Sequence, residues 1–417
     1  MSRPELLVLS GLTTPGVEAV ISRIRTLDRD VAVLHHDLRE IGPGGGPGVV
    51  RRRLRRGDHD VTTRVELVHG CVSCTLREDL LPQLIALAEP GGPQRIVLHL
   101  DPTLEPEQVC WSLHHVLVDD VLVTDVADLR GVVTVLDAGT WFDDATGDAV
   151  LAEHGCVADR HADDADERTV AQVAVGQAEF ADLLVHTGTA DAWELARTEA
   201  VLARLSPAAP RVRLAALGPQ VFLDELPAQA RRGRVEDVHA ALLRGAPPLG
   251  GDCGVRLVLF SARRPFHPER LHTALDVLLD GVVRARGRLW LATRPEAVLW
   301  LESAGGGLRV GHAGDWLDGA GDEAWAAASP ERRALASLGW HPRFGDRAQD
   351  LVVLTHDADP AEVDAHLREA LLTDLELAAG EDAWRTLSDP FGWWHTDPCE
   401  SSADVAAGPF TIEHEEY

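Results

Sequence analysis

The chain contains neither lysine nor asparagine, so all 39 of its Lys/Arg positions are arginine. Any chemistry that needs a lysine amine or an asparagine amide is excluded from the start. Long hydrophobic runs are absent too. No stretch approaches the ~20 apolar residues of a membrane-spanning helix. The opening residues, MSRPELLVLSG, lack the apolar length and small-residue cleavage pattern of a secretory signal. A cytoplasmic protein with no membrane partner is expected. Cysteine is sparse, at six in 417 residues, and only Cys71 and Cys74 lie close together. That spacing excludes a disulfide framework and leaves a CxxC pair, which reads as metal or redox chemistry.

Positive charge is in deficit. Against 39 basic residues stand 67 Asp and Glu, a net charge of -28. Such a surface repels nucleic-acid backbones, excludes DNA as a general partner and suits basic proteins. One local exception is the run of Arg51, Arg52, Arg53, Arg55 and Arg56. It reads as a solvated helix face or loop, or else as a contact for a phosphate backbone.

What is present alternates strand and helix. An apolar run at 6–10 ends at Gly11, and a helical pattern follows from 17 to 27. Further strand candidates lie at 31–34, 66–68, 95–100, 132–136 and 181–185, with a helix at 76–88. The alternation implies a doubly wound, mostly parallel α/β sheet over 1–205. Residues 206–253 carry Pro, Gly and Arg clusters and read as a linker region. From 254 to 398 a new alternating pattern implies a smaller α+β domain, and 399–417 is a short acidic tail.

Gly11 and Gly16 stand after the first strand at the spacing of GxxxxGK[ST], the loop whose amides and lysine hold nucleotide phosphates. The two positions that should carry lysine and hydroxyl are Val17 and Glu18. Valine cannot pair with phosphate, and a glutamate sets negative charge beside it. With no lysine in the chain, an arginine from elsewhere would have to substitute. The NKxD segment that reads guanine fares no better. After the strand at 181–185 come His186, Thr187, Gly188, Thr189, Ala190 and Asp191, with the aspartate one place late.

Zinc favours thiolate and imidazole in tetrahedral sets. Cys71 and Cys74 supply two ligands, and His69 is near in sequence. Cys110, His114 and His115 form a second cluster, CWSLHH. If the strands before the two clusters are neighbours, a four-ligand site is possible. Two reduced thiols at a strand-to-helix turn, or redox exchange, are the other readings of the pair.

Taken in order, VLSGLTTPG, HGCVSCTLREDLL, GVVTVLDAGTWFDD and QAEFADLLV resemble the CobW-like family of P-loop GTPases and metallochaperones. FSARRPFHPERLHTALD, RARGRLWLATRP, AGGGLRV, FGDRAQDLVV, LLTDLEL and DPF resemble its C-terminal domain. The resemblance spans most of 5–395. It implies a P-loop NTPase-like fold with a CobW C-terminal-like domain, GTP as nucleotide, and zinc delivered to a client. Of the family's GCxCC metal motif, Gly70, Cys71 and Cys74 are kept and Ser73 stands at the middle cysteine. The family's phosphate lysine and hydroxyl fall on Val17 and Glu18, and its guanine-reading Asn and Lys on Thr187 and Gly188. The residues therefore do not support GTPase activity, and no catalytic residue is assigned.

HGCVSCTLREDLL, RTVAQVAVGQAEFADLLV and ESAGGGLRV look closest to actinobacterial factors made under zinc shortage, which recruit a hibernation-promoting protein to the ribosome. That resemblance implies a hibernation factor and the 30S or 70S ribosome as partners, and makes the arginine run the candidate rRNA contact. The alternative it leaves open is a zinc metallochaperone with GTPase activity.

Overall fold

The computed structural model describes residues 3–38, 48–67, 72–152 and 168–392. The chain divides into two compact units, Met1–Val235 with Gly245–Pro247, and Glu236–Arg244 with Pro248–Tyr417.

The first unit is built on eight strands: β1 (Glu5–Ser10), β2 (Ala32–Asp37), β3 (Gly48–Arg56), β4 (His59–Leu67), β5 (Arg95–His99), β6 (Asp128–Asp137), β7 (Leu183–Thr187) and β8 (Arg211–Arg213). Their order is β4-β3-β2-β5-β1-β6-β7-β8. From β2 to β8 every pairing is parallel, while β3 and β4 form an antiparallel hairpin on one edge. Strand β1, ELLVLS, is buried from its second residue onward, as a strand covered on both faces must be. Leu6 and Val8 point into one core with Leu81, Leu84, Val109 and Leu113. Leu7 and Leu9 point into the other with Val17, Val20, Ile21 and Ile24. The doubly wound, mostly parallel sheet expected from the alternating pattern is thus the observed one.

Three local readings change. The arginine run is neither helix face nor loop, because it forms most of β3, GVVRRRLRR. The stretch expected as one helix is a wide π turn, Leu76–Leu80, followed by an α-helix, Leu81–Leu87. Pro82 lacks the N–H that would close an ordinary turn there. The third change concerns 206–253. Leu217, Val221, Phe222 and Leu223 are buried in the first unit's core. Residues 236–244 belong to the second unit, where Arg288 donates to the Val238 and Ala240 carbonyls at 3.0 Å each and Arg286 to Leu242 at 2.8 Å. These apolar residues come singly in short turns, so they leave no periodic signal.

The second unit carries an antiparallel sheet of β9 (Arg256–Ala262), β10 (Val282–Leu289), β11 (Ala297–Ala304), β12 (Gly307–Asp315) and β13 (Gln349–Thr355). The order is β12-β11-β10-β13-β9. Helices Pro268–Ala274 and Pro360–Glu369 contribute Leu271, Val363 and Leu367 to a core with Phe260, Leu299 and Val353. A second cluster gathers around the fully buried Trp290, whose ring lies 5.3 Å from Phe344 and 6.3 Å from Trp384. Among the described residues no helix is long and apolar enough to cross a membrane.

Candidate functional site

The carboxyl ends of β1, β2, β5, β6 and β7 form one edge of the sheet, and most of the residues singled out above converge there. After β1 the chain turns through Gly11 into helix Thr14–Leu27. A side-chain carbon added at Gly11 would stand 2.7 Å from the Val135 carbonyl oxygen and 2.9 Å from Val17 Cγ2. At Gly16 it would stand 2.8 Å from both Thr13 Oγ1 and Thr187 Oγ1. The turn is closed from within: Val17, 1% exposed, packs into the core with Leu9 and Val135.

Glu18 has a partner. Arg55 of β3 donates to its carboxylate from both terminal nitrogens, at 2.7 and 3.1 Å. Arg55 itself is 5% exposed. An arginine does reach this position from elsewhere in the chain, and here it neutralises the glutamate.

Beyond β7, Gly188 has a φ of +65° and leaves room for the Asp137 carboxylate, which a side chain there would meet at 2.6 Å. Asp191 caps helix Ala192–Leu205, accepting from the Trp193 and Glu194 amides at 2.8 and 2.9 Å. The carboxylate nearest the guanine-reading position therefore serves the helix end.

The same edge holds a histidine–aspartate cluster that sequence reasoning missed. His35 of β2 stacks on His99 of β5 with ring centres 4.1 Å apart, and its Nδ1 bonds the His99 carbonyl at 3.0 Å. Burial lowers the pKa of both rings, and that of His99 falls to about 2, helped by His35, Arg55 and Arg53. His36 Nε2 donates to Asp79 at 2.7 Å, and Arg52 binds the other oxygen of that carboxylate at 2.5 Å. Asp101, also buried, accepts from the Leu38 amide and from Thr103. The signal was in plain view as HHD and HLD at two strand ends. A histidine in a strand is more often a satisfied core residue, and only the pairing of β2 with β5 brings these together.

Asp79 also locates the cysteine segment. Cys74 sits half-buried in the turn Val72–Thr75, five residues before Asp79, so the bonds to His36 and Arg52 dock this segment at the carboxyl edge. His69, Gly70 and Cys71 lie outside the described residues. The second cluster is not brought near. Between β4 and β5 lie β3 and β2, so the strands that precede the two clusters are not neighbours. Cys110 is fully buried in helix Pro106–His115, and burial raises its thiol pKa well above the ordinary range. His114 faces Arg3, Asp128 and Arg130 at the opposite, amino edge of the sheet. His115 stacks on Trp111 at 4.8 Å. Among the described residues no group of three His, Cys, Asp or Glu side chains could hold a metal.

The arginine run is likewise committed. Arg53 grips Asp60 and Arg56 grips Asp30, each through two bonds between 2.6 and 3.0 Å. Arg52 and Arg55 are held by Asp79 and Glu18 as above. Arg51 is exposed on β3. Four of the five arginines of the densest basic stretch in the sequence thus have carboxylate partners in the fold.

A parallel nucleotide-binding-type α/β unit joined to a five-stranded antiparallel unit defines the class of protein. Residues 14–213 match the model described as CobW/HypB/UreG, nucleotide-binding domain, and residues 255–371 match the cobalamin synthesis protein cobW C-terminal domain. The chain belongs to the CobW family. It is 46% identical over 375 residues to the zinc chaperone Rv0106 of Mycobacterium tuberculosis (strain ATCC 25618 / H37Rv), covering 87% of this chain and 88% of that one. It is 26% identical over 403 residues to zinc-regulated GTPase metalloprotein activator 1 of Dictyostelium discoideum, covering 92% and 83%. Among solved structures it is similar to the Zn(II)-bound YjiA GTPase from E. coli, with 14% identity, a TM-score of 0.36, and coverage of 89% and 100%.

Proposed function

We propose that this chain is a zinc-linked CobW-family protein that acts by binding and recruitment rather than by hydrolysing GTP. The observation that carries the reading is the state of the phosphate loop. At the lysine position Val17 is part of the core, and at the hydroxyl position Glu18 is engaged by Arg55. These residues do not fit a polyphosphate with its magnesium ion. Loss of the lysine contact alone weakens nucleotide binding by about two orders of magnitude.

Zinc enters this reading through the relatives' names and through the chemistry of Cys71 and Cys74, two thiolates of the kind zinc prefers. His69 is the nearest imidazole in sequence. The finer reading is recruitment of a hibernation-promoting factor to the ribosome under zinc limitation. The acidic surface supports it, since a basic client docks readily on a chain of charge -28.

The alternative, a zinc metallochaperone with GTPase activity, draws on the names of two relatives, a zinc chaperone and a zinc-regulated GTPase metalloprotein activator. Calorimetric titration with Mg-GTP separates the two. The recruitment reading expects no saturable heat, and a low-micromolar dissociation constant overturns it. Sedimentation of zinc-starved lysates then tests the partner. The protein is expected with 30S or 70S particles, and its deletion should lower the hibernation factor's ribosome occupancy. Absence from both particles, with hibernation unchanged on deletion, removes the recruitment reading.

A further inference from the structure

At the amino edge of the sheet, opposite the site described above, the first unit has a cavity of about 260 Å³ whose lining includes Arg3, His114, Asp128, Arg130, Arg232 and Arg234. Four guanidinium groups around one small space are unusual in a chain of charge -28. Their charge is only partly cancelled locally. Among the described residues Arg3, Arg232 and Arg234 have no carboxylate partner. Arg3 and Arg232 touch only the backbone carbonyls of Thr124 and Leu226, at 3.2 and 3.4 Å. Arg130 has two long contacts, 3.3 Å to Asp128 and 3.4 Å to Asp224.

The wall that carries Arg232 and Arg234 is built and held. Asp182, 2% exposed, accepts the Arg232 amide at 2.8 Å through one oxygen and the Val132 amide at 3.0 Å through the other. The Gly233 amide also bonds this carboxylate. Gly233 has a φ of +68°, and a side chain there would stand 2.5 Å from Leu129 Cδ2. Arg231 turns inward over the Phe180 ring at 4.9 Å, leaving Arg232 and Arg234 on the cavity side. His114 bonds the backbone of Gly233, and its Nε2 is buried with no hydrogen-bond partner.

We propose that this cavity binds a small phosphate ester. Guanidinium forks match the oxygens of a phosphate in pairs, and a dianion answers three guanidinium groups without a carboxylate partner better than a single carboxylate does. The cavity is near the small end of ligand pockets, which run from about 300 Å³ upward, so the ligand is of sugar-phosphate size.

The test uses the full chain, with ribose 5-phosphate and glycerol 3-phosphate as probes in titration calorimetry. Saturable binding of at least one ester is expected, competed by inorganic phosphate. Arg232→Gln with Arg234→Gln keeps the backbone bonds to Asp182 and should weaken binding by about tenfold or more while the thermal melt stays as in the parent. Arg3→Gln, on another wall, should weaken it as well, which guards against a misfolded double variant. No saturable binding of either ester up to millimolar concentration overturns the proposal. So does binding that the arginine variants leave intact, which would place the phosphate elsewhere, the β1 turn included.

Discussion

Arg55 and Glu18 form a two-pronged ion pair between an edge strand and the first helix, with one partner buried and the other half-exposed. It stands where a nucleotide-binding member of the fold would place the hydroxyl that holds magnesium. The pair ties the β3–β4 hairpin to the helix.

Glu18→Gln leaves the Arg55 charge buried with a weaker acceptor. Because Glu18 is partly solvated, the loss should be ~1–2 kcal/mol rather than the larger figure for a fully buried pair. Urea unfolding checks it, and an unchanged midpoint would show that the pair contributes nothing.

Val17→Lys would restore the nucleotide-loop residue but place an ammonium in the core beside Leu9 and Val135. A stability loss of ~3 kcal/mol or more is expected, with no gain in Mg-GTP binding. A stable variant that binds Mg-GTP in the micromolar range would mean that the loop opens readily.

Two histidines with strongly lowered pKa values contribute to the acid response. Burial lowers the pKa of His99 to about 2 and of His239 to about 4, the latter with Arg332 and Arg288 adding to the effect and Asp237 opposing it. In the unfolded chain both titrate near 6.5, so below that pH the unfolded state binds more protons. The stability tied to both rings is complete above 6.5 and declines as pH falls, through about 4 for His239 and about 2 for His99. His239→Gln should flatten the slope of stability against pH between 6.5 and 4 by about one proton. An unaltered slope would mean that His239 is protonated in the folded state.

If the cysteine pair holds zinc, removing either thiol leaves too few for a tight site. Cys71→Ser and Cys74→Ser should each abolish stoichiometric zinc by elemental analysis. A full equivalent retained by the double variant would move the metal out of this loop.

The second unit includes 236–244, whose carbonyls take hydrogen bonds from Arg286 and Arg288. A fragment of 236–392 should therefore melt several degrees above one of 254–392, since each lost bond costs about 1 kcal/mol. Equal melting temperatures would show the segment to be a passive connector.

The sequence alone determined the class of fold. Continuous apolar strands such as LLVLS and VVTVL alternate with amphipathic helices, and that pattern has few solutions other than a doubly wound sheet. It also determined what is missing from the nucleotide site, because a chain without lysine or asparagine cannot complete those motifs in any conformation. The tertiary structure alone decided which charges are spent and which remain. Arg52, Arg53, Arg55 and Arg56 are adjacent in sequence, yet their carboxylate partners come from residues 79, 60, 18 and 30. Arg3, Arg130, Arg232 and Arg234 are scattered over the first unit, yet they share one cavity. Likewise His35 and His99 meet only because β2 and β5 pair in register. Electrostatic neutralisation acts over a few ångströms in space, and those distances are set by strand order and not by position along the chain.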